Sequence, residues 1–187
     1  MCSKAMIGRH PLHPMLIAFP VASYLGTLIG FAVYIANGHV FWLNLGIALT
    51  TVGAGSSLLA ALPGIVDWAL GIPKASEAKV VGAVHAVLNV SAVGLVAAIA
   101  YSYFPDFNGP LADGTLGLAL AASAVALTLA AGALGWTLVQ TYHVGVRLTA
   151  AQVAEEQAVQ EHSVLPLSRK GSVPTRDRQG TLRRMTS

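Results

Sequence analysis

Cysteine is almost missing from this chain of 187 residues, which contains only Cys2. A lone cysteine excludes an intrachain disulfide framework, and it excludes any cysteine-ligated cluster built by this chain alone. Charge is scarce as well. Acidic and basic side chains make up 10% of the residues, against about 25% in ordinary soluble domains. Hydrophobic residues make up 55%, and the mean hydropathy is +0.64. So little charge cannot cover a soluble globule, and the composition reads as an integral membrane protein. The length leaves room for one membrane domain and a tail, but not for a separate soluble catalytic domain of ordinary size. No nucleophile triad, phosphate-cradling loop, dinucleotide fingerprint or cysteine-based metal motif occurs. The pattern therefore speaks for an electron carrier or binding protein rather than a hydrolase or transferase.

No Asp, Glu, Lys or Arg stands between Arg9 and Asp67. That gap holds two apolar runs, Met15 to Ala36 and Val40 to Leu62, interrupted by the turn-forming Asn37-Gly38-His39 and closed by Pro63-Gly64. Each run has about 22 residues, enough to cross a hydrocarbon core of ~30 Å at 1.5 Å per residue. Further charge-free runs extend from Val80 to Pro105 and from Gly114 to Val146, the last longer than a bilayer needs. The expectation is an all-α, integral membrane four-helix bundle over residues 1–147, with a fourth helix that protrudes.

The basic residues set an orientation. With four spans, all eleven Lys and Arg fall on one side, while the two opposite loops carry only Asp106 and Asp113. The positive-inside rule then puts both termini and the 63–79 loop in the cytoplasm. This accounts for the net charge of +3 without a nucleic-acid partner. The first apolar run exceeds the roughly 7 to 15 residues of a signal-peptide core, so it is expected to stay as an uncleaved anchor. Residues 148–187 form the remainder. Leu148 to His162, rich in Ala, Glu and Gln, reads as a short helix, and Pro166 to Ser187 as a disordered basic tail, solvated or resting on anionic lipid.

No internal repeat is evident. The bias that does appear is toward small residues, with 19 glycines in the chain. Gly26, Gly30, Gly46, Gly53, Gly82, Gly94, Gly117, Gly132 and Gly135 read first as packing positions, and some would make room for a flat cofactor. Trp42, Trp68, Tyr101, Tyr103 and Trp136 lie near span ends, as an aromatic belt would.

Ionisable residues at membrane depth are costly and mark candidate functional sites. His10 and His13 lie in Arg9-His-Pro-Leu-His-Pro14, where the prolines favour an extended segment over the bundle mouth. Asp67 follows Pro63-Gly64, placed to cap a helix or to pair with Lys74. His85 sits about 9 Å down helix three from Lys79, with Asn89 one turn deeper on the same face. His143 shares a face of helix four with Trp136 and Gln140. The four-span topology brings His10, His13, Asp67, His85 and His143 to one membrane face, leaving His39 opposite and His162 in the tail. A histidine near a helix end ordinarily bonds a carbonyl or a lipid headgroup. Convergence allows more: a b-type haem on two imidazoles, a Zn, Cu or Fe site of three histidines and Asp67, or a proton path. A cofactor-free accessory subunit, presenting its small-residue faces to other helices, is the remaining class.

The run His10-Pro-Leu-His-Pro-Met-Leu-Ile-Ala-Phe-Pro20 resembles the opening of a bacterial membrane family catalogued as domain of unknown function 2231. Ala61-Leu-Pro-Gly-Ile-Val-Asp67, His85 with Asn89, and Gly135-Trp through Val146 resemble its later blocks in order, so the likeness covers residues 8 to about 147. It implies a four-helix protein of the bacterial inner membrane, whose relatives are sometimes joined to Rieske-type ferredoxin domains. That association leans toward redox, with a separate redox partner here and oligomerisation open. The pattern carries over to His10, His13, Asp67, His85, Asn89 and His143. At the last it departs, since Val144 intervenes before Gly145. The leading expectation is a haem held by His85 with His143 or His13, and the alternative is a metal on His13, His85, His143 and Asp67.

Overall fold

The computed structural model describes residues 3–8, 10–109, 111–146 and 148–164, which fall into two compact units, Met1–Arg147 and Leu148–Ser187. The first opens with a two-stranded antiparallel hairpin, β1 (Met6–Ile7) and β2 (His10–Pro11), and continues into the short helix α1 (Leu12–Leu16). Then come α2 (Ala18–Asn37), α3 (Val40–Val66), α4 (Glu77–Tyr103) and α5 (Thr115–Gln140). Among the described residues four spans are long and apolar enough to cross a membrane: Leu12–Asn37, Val40–Gly71, Glu77–Asp106 and Thr115–Gln140. Large apolar side chains such as Leu58, Leu59, Val80, Val87 and Leu129 point outward along them.

The turn between α2 and α3 falls where Asn37-Gly38 predicts it. Gly38 takes φ +67° as a left-handed cap, its N–H bonded to Tyr34 O at 2.7 Å. Three expectations are corrected. The Pro14 neighbourhood is not wholly extended, because Pro14 lies in the first turn of α1, where a helix needs no N–H from it. Helix α3 runs through Pro63 and closes with a π-helical turn at Asp67–Gly71, so the proline does not end it. Helix α5 stops at Gln140 and does not protrude to Val146. His143 (φ +53°) and Gly145 (φ +81°) turn the chain instead.

Helices in lipid gain nothing from hiding apolar surface from one another, so close backbone approach decides the packing. Gly30 meets the Gly46 backbone where α2 crosses α3, and the Tyr24 ring rests on Gly53. The Phe31 ring is fully buried between Gly46 and Gly117 and meets Tyr103 edge to face at 4.9 Å. Tyr103 accepts a hydrogen bond from Gly117 N at 2.9 Å and donates to Asp113 O at 2.7 Å, which fixes the start of α5. Thr115 donates to Asp113 through Oγ1 at 2.7 Å and N at 2.9 Å, holding that carboxyl below the usual range.

The packing discloses a repeat. Helix α2 packs chiefly on α3 and α4 on α5, while α2 also meets α5 and α3 also meets α4. Exchanging the two hairpins leaves this pattern unchanged. The buried Pro20, Tyr24, Thr27 and Phe31 of α2 correspond at constant spacing to the buried Ala92, Val96, Ile99 and Tyr103 of α4. In the second helices, Gly46, Thr50, Gly53 and Ala60 correspond in the same way to Gly117, Ala121, Ala124 and Ala131. The bundle is therefore two similar hairpins about an approximate two-fold axis, with Phe31 and Tyr103 meeting across it.

The second unit contains α6 (Ala150–Val164), the short helix expected there. Thr149 opens it with a capping box: Gln152 N donates to Thr149 Oγ1 at 3.3 Å, and Thr149 N to Gln152 Oε1 at 2.9 Å. The expected disorder of Pro166 to Ser187 falls outside the described residues.

A Cβ added at Gly117 would lie 2.3 Å from the Phe31 ring. Gly117→Ala should therefore destabilise the bundle by about 1–3 kcal/mol, and Phe31→Leu in the same chain should recover part of the loss. Thermal unfolding in detergent measures both; equal midpoints for wild type and Gly117→Ala would show that the Phe31 seam does not hold the hairpins together.

Candidate functional site

Two of the sequence-predicted histidines meet at one end of the bundle. His13 on α1 and His85 on α4 are both half-buried, their ring centroids 6.1 Å apart and their planes at 82°. Each is held the same way. His13 Nδ1 donates to Ala60 O at 2.8 Å, 47 residues along the chain, and His85 Nδ1 donates to Ala131 O at 2.7 Å, 46 residues along. One turn after each accepting alanine stands a glycine whose missing side chain admits the imidazole. A Cβ on Gly64 would lie 2.9 Å from His13 Nδ1, and one on Gly135 would lie 3.2 Å from His85 Cε1. The two histidines are equivalent positions of the repeat, each docked on an Ala-x-x-x-Gly step of its own hairpin.

A carbonyl only accepts, so both bonds put a ring hydrogen on Nδ1. Asn89, one turn deeper on α4, donates from Nδ2 to His85 Nε2 at 3.2 Å and to His85 O at 2.8 Å. The repeat equivalent of Asn89 is Ile17, so His13 receives no matching amide.

The remaining candidates lie elsewhere. Asp67 does not pair with Lys74. Its Oδ1 accepts from Lys4 N at 2.6 Å and Ala5 N at 2.9 Å, and its Oδ2 from Ser3 Oγ at 2.7 Å. His10 is exposed in β2, opposite Ile7. His143 sits in the turn beyond α5, off the helical face that carries Trp136 and Gln140. His39 opens α3 at the opposite end, its Nδ1 accepting from Phe41 N at 3.3 Å. Among the described residues, no three His, Cys, Asp or Glu side chains gather as a metal ion would require. Beside the site, Trp68 Nε1 donates to Lys79 O at 3.0 Å, Lys79 Nζ donates back to Trp68 O, and the ammonium lies 4.0 Å over the indole. This reciprocal pair closes the α3–α4 loop.

The family described as predicted membrane protein (DUF2231) matches residues 9–148, a stretch that takes in both histidines and both steps on which they dock. The chain belongs to that family. No curated protein and no solved structure matches it. Membership fixes a membrane bundle and leaves its chemistry to the site.

Sequence reasoning found the two histidines but missed Ala60, Gly64, Ala131 and Gly135 as their seats. The signal was present in the equal spacing from each histidine to its alanine, hidden by the abundance of both residue types. In protein labelled with 15N-histidine, both rings should show a hydrogen on Nδ1, assigned through His13→Ala and His85→Ala. A ring without a hydrogen on Nδ1 would contradict the docking.

Proposed function

We propose that this protein is a membrane electron carrier in which His13 and His85 hold one b-type haem. The observation that carries the reading is the matched pair of imidazoles, each oriented by an Nδ1–H bond to a carbonyl; iron on His85 would take the Nε2 lone pair that now accepts from Asn89 Nδ2. Metal-bound histidines ordinarily have this arrangement, because the outer hydrogen bond fixes the ring and raises its basicity. His13 and His85, their ring centroids 6.1 Å apart, would be the two residues that hold the group. Two donors are enough for a haem with bis-histidine ligation, whereas a non-haem ion draws on three or more protein ligands. Among the described residues the end of the bundle brings together two.

When bound, haem supplies one-electron redox chemistry, and the chain supplies the environment. The glycine seats make room for both rings, whose Nδ1–H bonds to Ala60 O and Ala131 O orient them. His143, the other ligand weighed with His85, has no place in the two-fold arrangement. By the positive-inside rule this end faces the cytoplasm of a bacterial cell, with both termini on that side of the inner membrane. The electron partner is a separate redox protein, of which a Rieske-type ferredoxin is one class.

An absorption spectrum of the detergent-purified protein, oxidised and then reduced with dithionite, tests this. Wild type from haem-supplied cells should carry about one haem per chain with a low-spin Soret band and sharpened visible bands on reduction. His85→Ala and His13→Ala should each remove the low-spin form while leaving the amount of folded protein near wild type. A flat visible spectrum for the wild type under those conditions would overturn the reading.

A further inference from the structure

The two halves of the repeat differ most sharply at one polar position. Ala60 and Gly64 of α3 and Asp67, which opens the π-helical turn after it, stand at helical spacing on the face that receives His13. On α5 the equivalent face carries Ala131, Gly135 and Leu138, a buried apolar residue. The seat for the imidazole is repeated, but the carboxylate is not.

The helices that carry the histidines explain the difference. His85 lies inside α4, a continuous helix of 27 residues that begins at Glu77, so its backbone position is set by the helix itself. His13 lies in α1, five residues long and separated from α2 by a turn at Ile17. A helix of one turn and a half does not hold itself in place. It needs an outside restraint on its free end, and Asp67 supplies one. The carboxylate gathers Ser3 Oγ and the N–H groups of Lys4 and Ala5. Ala5 then passes the restraint on, because its carbonyl accepts from Leu12 N at 3.0 Å. Leu12 is the first residue of α1 and the neighbour of His13. The hairpin pairs Met6 with Pro11 and Ile7 with His10 between these anchor points. Ser3 itself is buried, which keeps water from competing for Oδ2.

We infer that Asp67 is the positioning residue of His13: it straps the N-terminal hairpin to the end of α3 and so holds the His13 imidazole opposite His85. The carboxylate is thereby consumed by structure and is not a metal ligand. The strap itself stands on the hydrogen bonds alone, while its effect on a haem rests on the proposed function.

Hydrogen exchange and absorption on the full-length protein test the two parts separately. Asp67→Ala should speed exchange of residues 3–16 about tenfold or more while leaving α4 and α5 as protected as in wild type. Asp67→Asn should stay near wild type, because an amide oxygen still accepts from Lys4 N and Ala5 N and only the Ser3 hydroxyl loses its acceptor. In the haem-loaded protein, Asp67→Ala should convert six-coordinate low-spin haem to a five-coordinate high-spin form, as His13→Ala does, and Asp67→Asn should restore the low-spin spectrum. Unchanged exchange in Asp67→Ala would overturn the strap. Faster exchange with an unchanged low-spin spectrum would show that the strap does not position His13, and would overturn the inference. If the wild type takes up no haem, the proposed function falls, and the exchange of residues 12–16 decides the strap without it. Should Asp67→Ala fail to fold, Ser3→Ala removes one bond without touching α3; it should give a smaller rise confined to residues 3–16, and no rise would again overturn the strap.

Discussion

Close approach between helix backbones is the constraint on which this molecule depends. Lipid surrounds the spans, so one apolar face has no reason to prefer another unless the partners fit. The fit comes from positions without side-chain bulk: Gly30 against Gly46, Gly46 and Gly117 on either side of Phe31, Gly53 under Tyr24. The same device builds the end that carries His13 and His85. Gly64 and Gly135 allow an imidazole to lie against a helix and reach a carbonyl one turn back, which a larger residue would prevent. Packing and site geometry are thus two uses of one rule, and the small-residue bias of the composition serves both.

The spans were legible because charge is excluded from hydrocarbon, and the gap between Arg9 and Asp67 forces two helices whatever their propensities. The turn at Asn37-Gly38 was legible for a comparable reason, since the left-handed cap favours glycine. The repeat was not. Its halves share a burial pattern more than a sequence: Tyr24 answers to Val96, Thr27 to Ile99 and Thr50 to Ala121, pairs alike in being hidden and unlike in chemistry. The extent of α5 was misjudged because nothing in an apolar run up to Val146 marks the left-handed backbone that begins the turn at His143. Proline at position 63 suggested an end to α3 where the chain continues and then widens into a π-helical turn.

Within the site, residue type singled out the histidines, and the four-span topology brings His13 and His85 together. Which nitrogen each presents could not be read, because that depends on a carbonyl 46 or 47 residues away. Asp67 illustrates the opposite hazard. A carboxylate near histidines invites a reading as a ligand, yet its oxygens are taken by backbone and hydroxyl donors from the N-terminal segment. Asn89 falls between these cases: its place one turn below His85 was visible, and its bond to Nε2 follows from that spacing.

Each half of the molecule is contiguous in the chain, and this orders the steps by which the site is made. The bond from His13 to Ala60 closes as soon as the first hairpin exists, and the bond from His85 to Ala131 needs only the second. Neither waits for the hairpins to meet. Each imidazole is aimed by a carbonyl of its own hairpin, and the packing of the two halves sets the rings side by side.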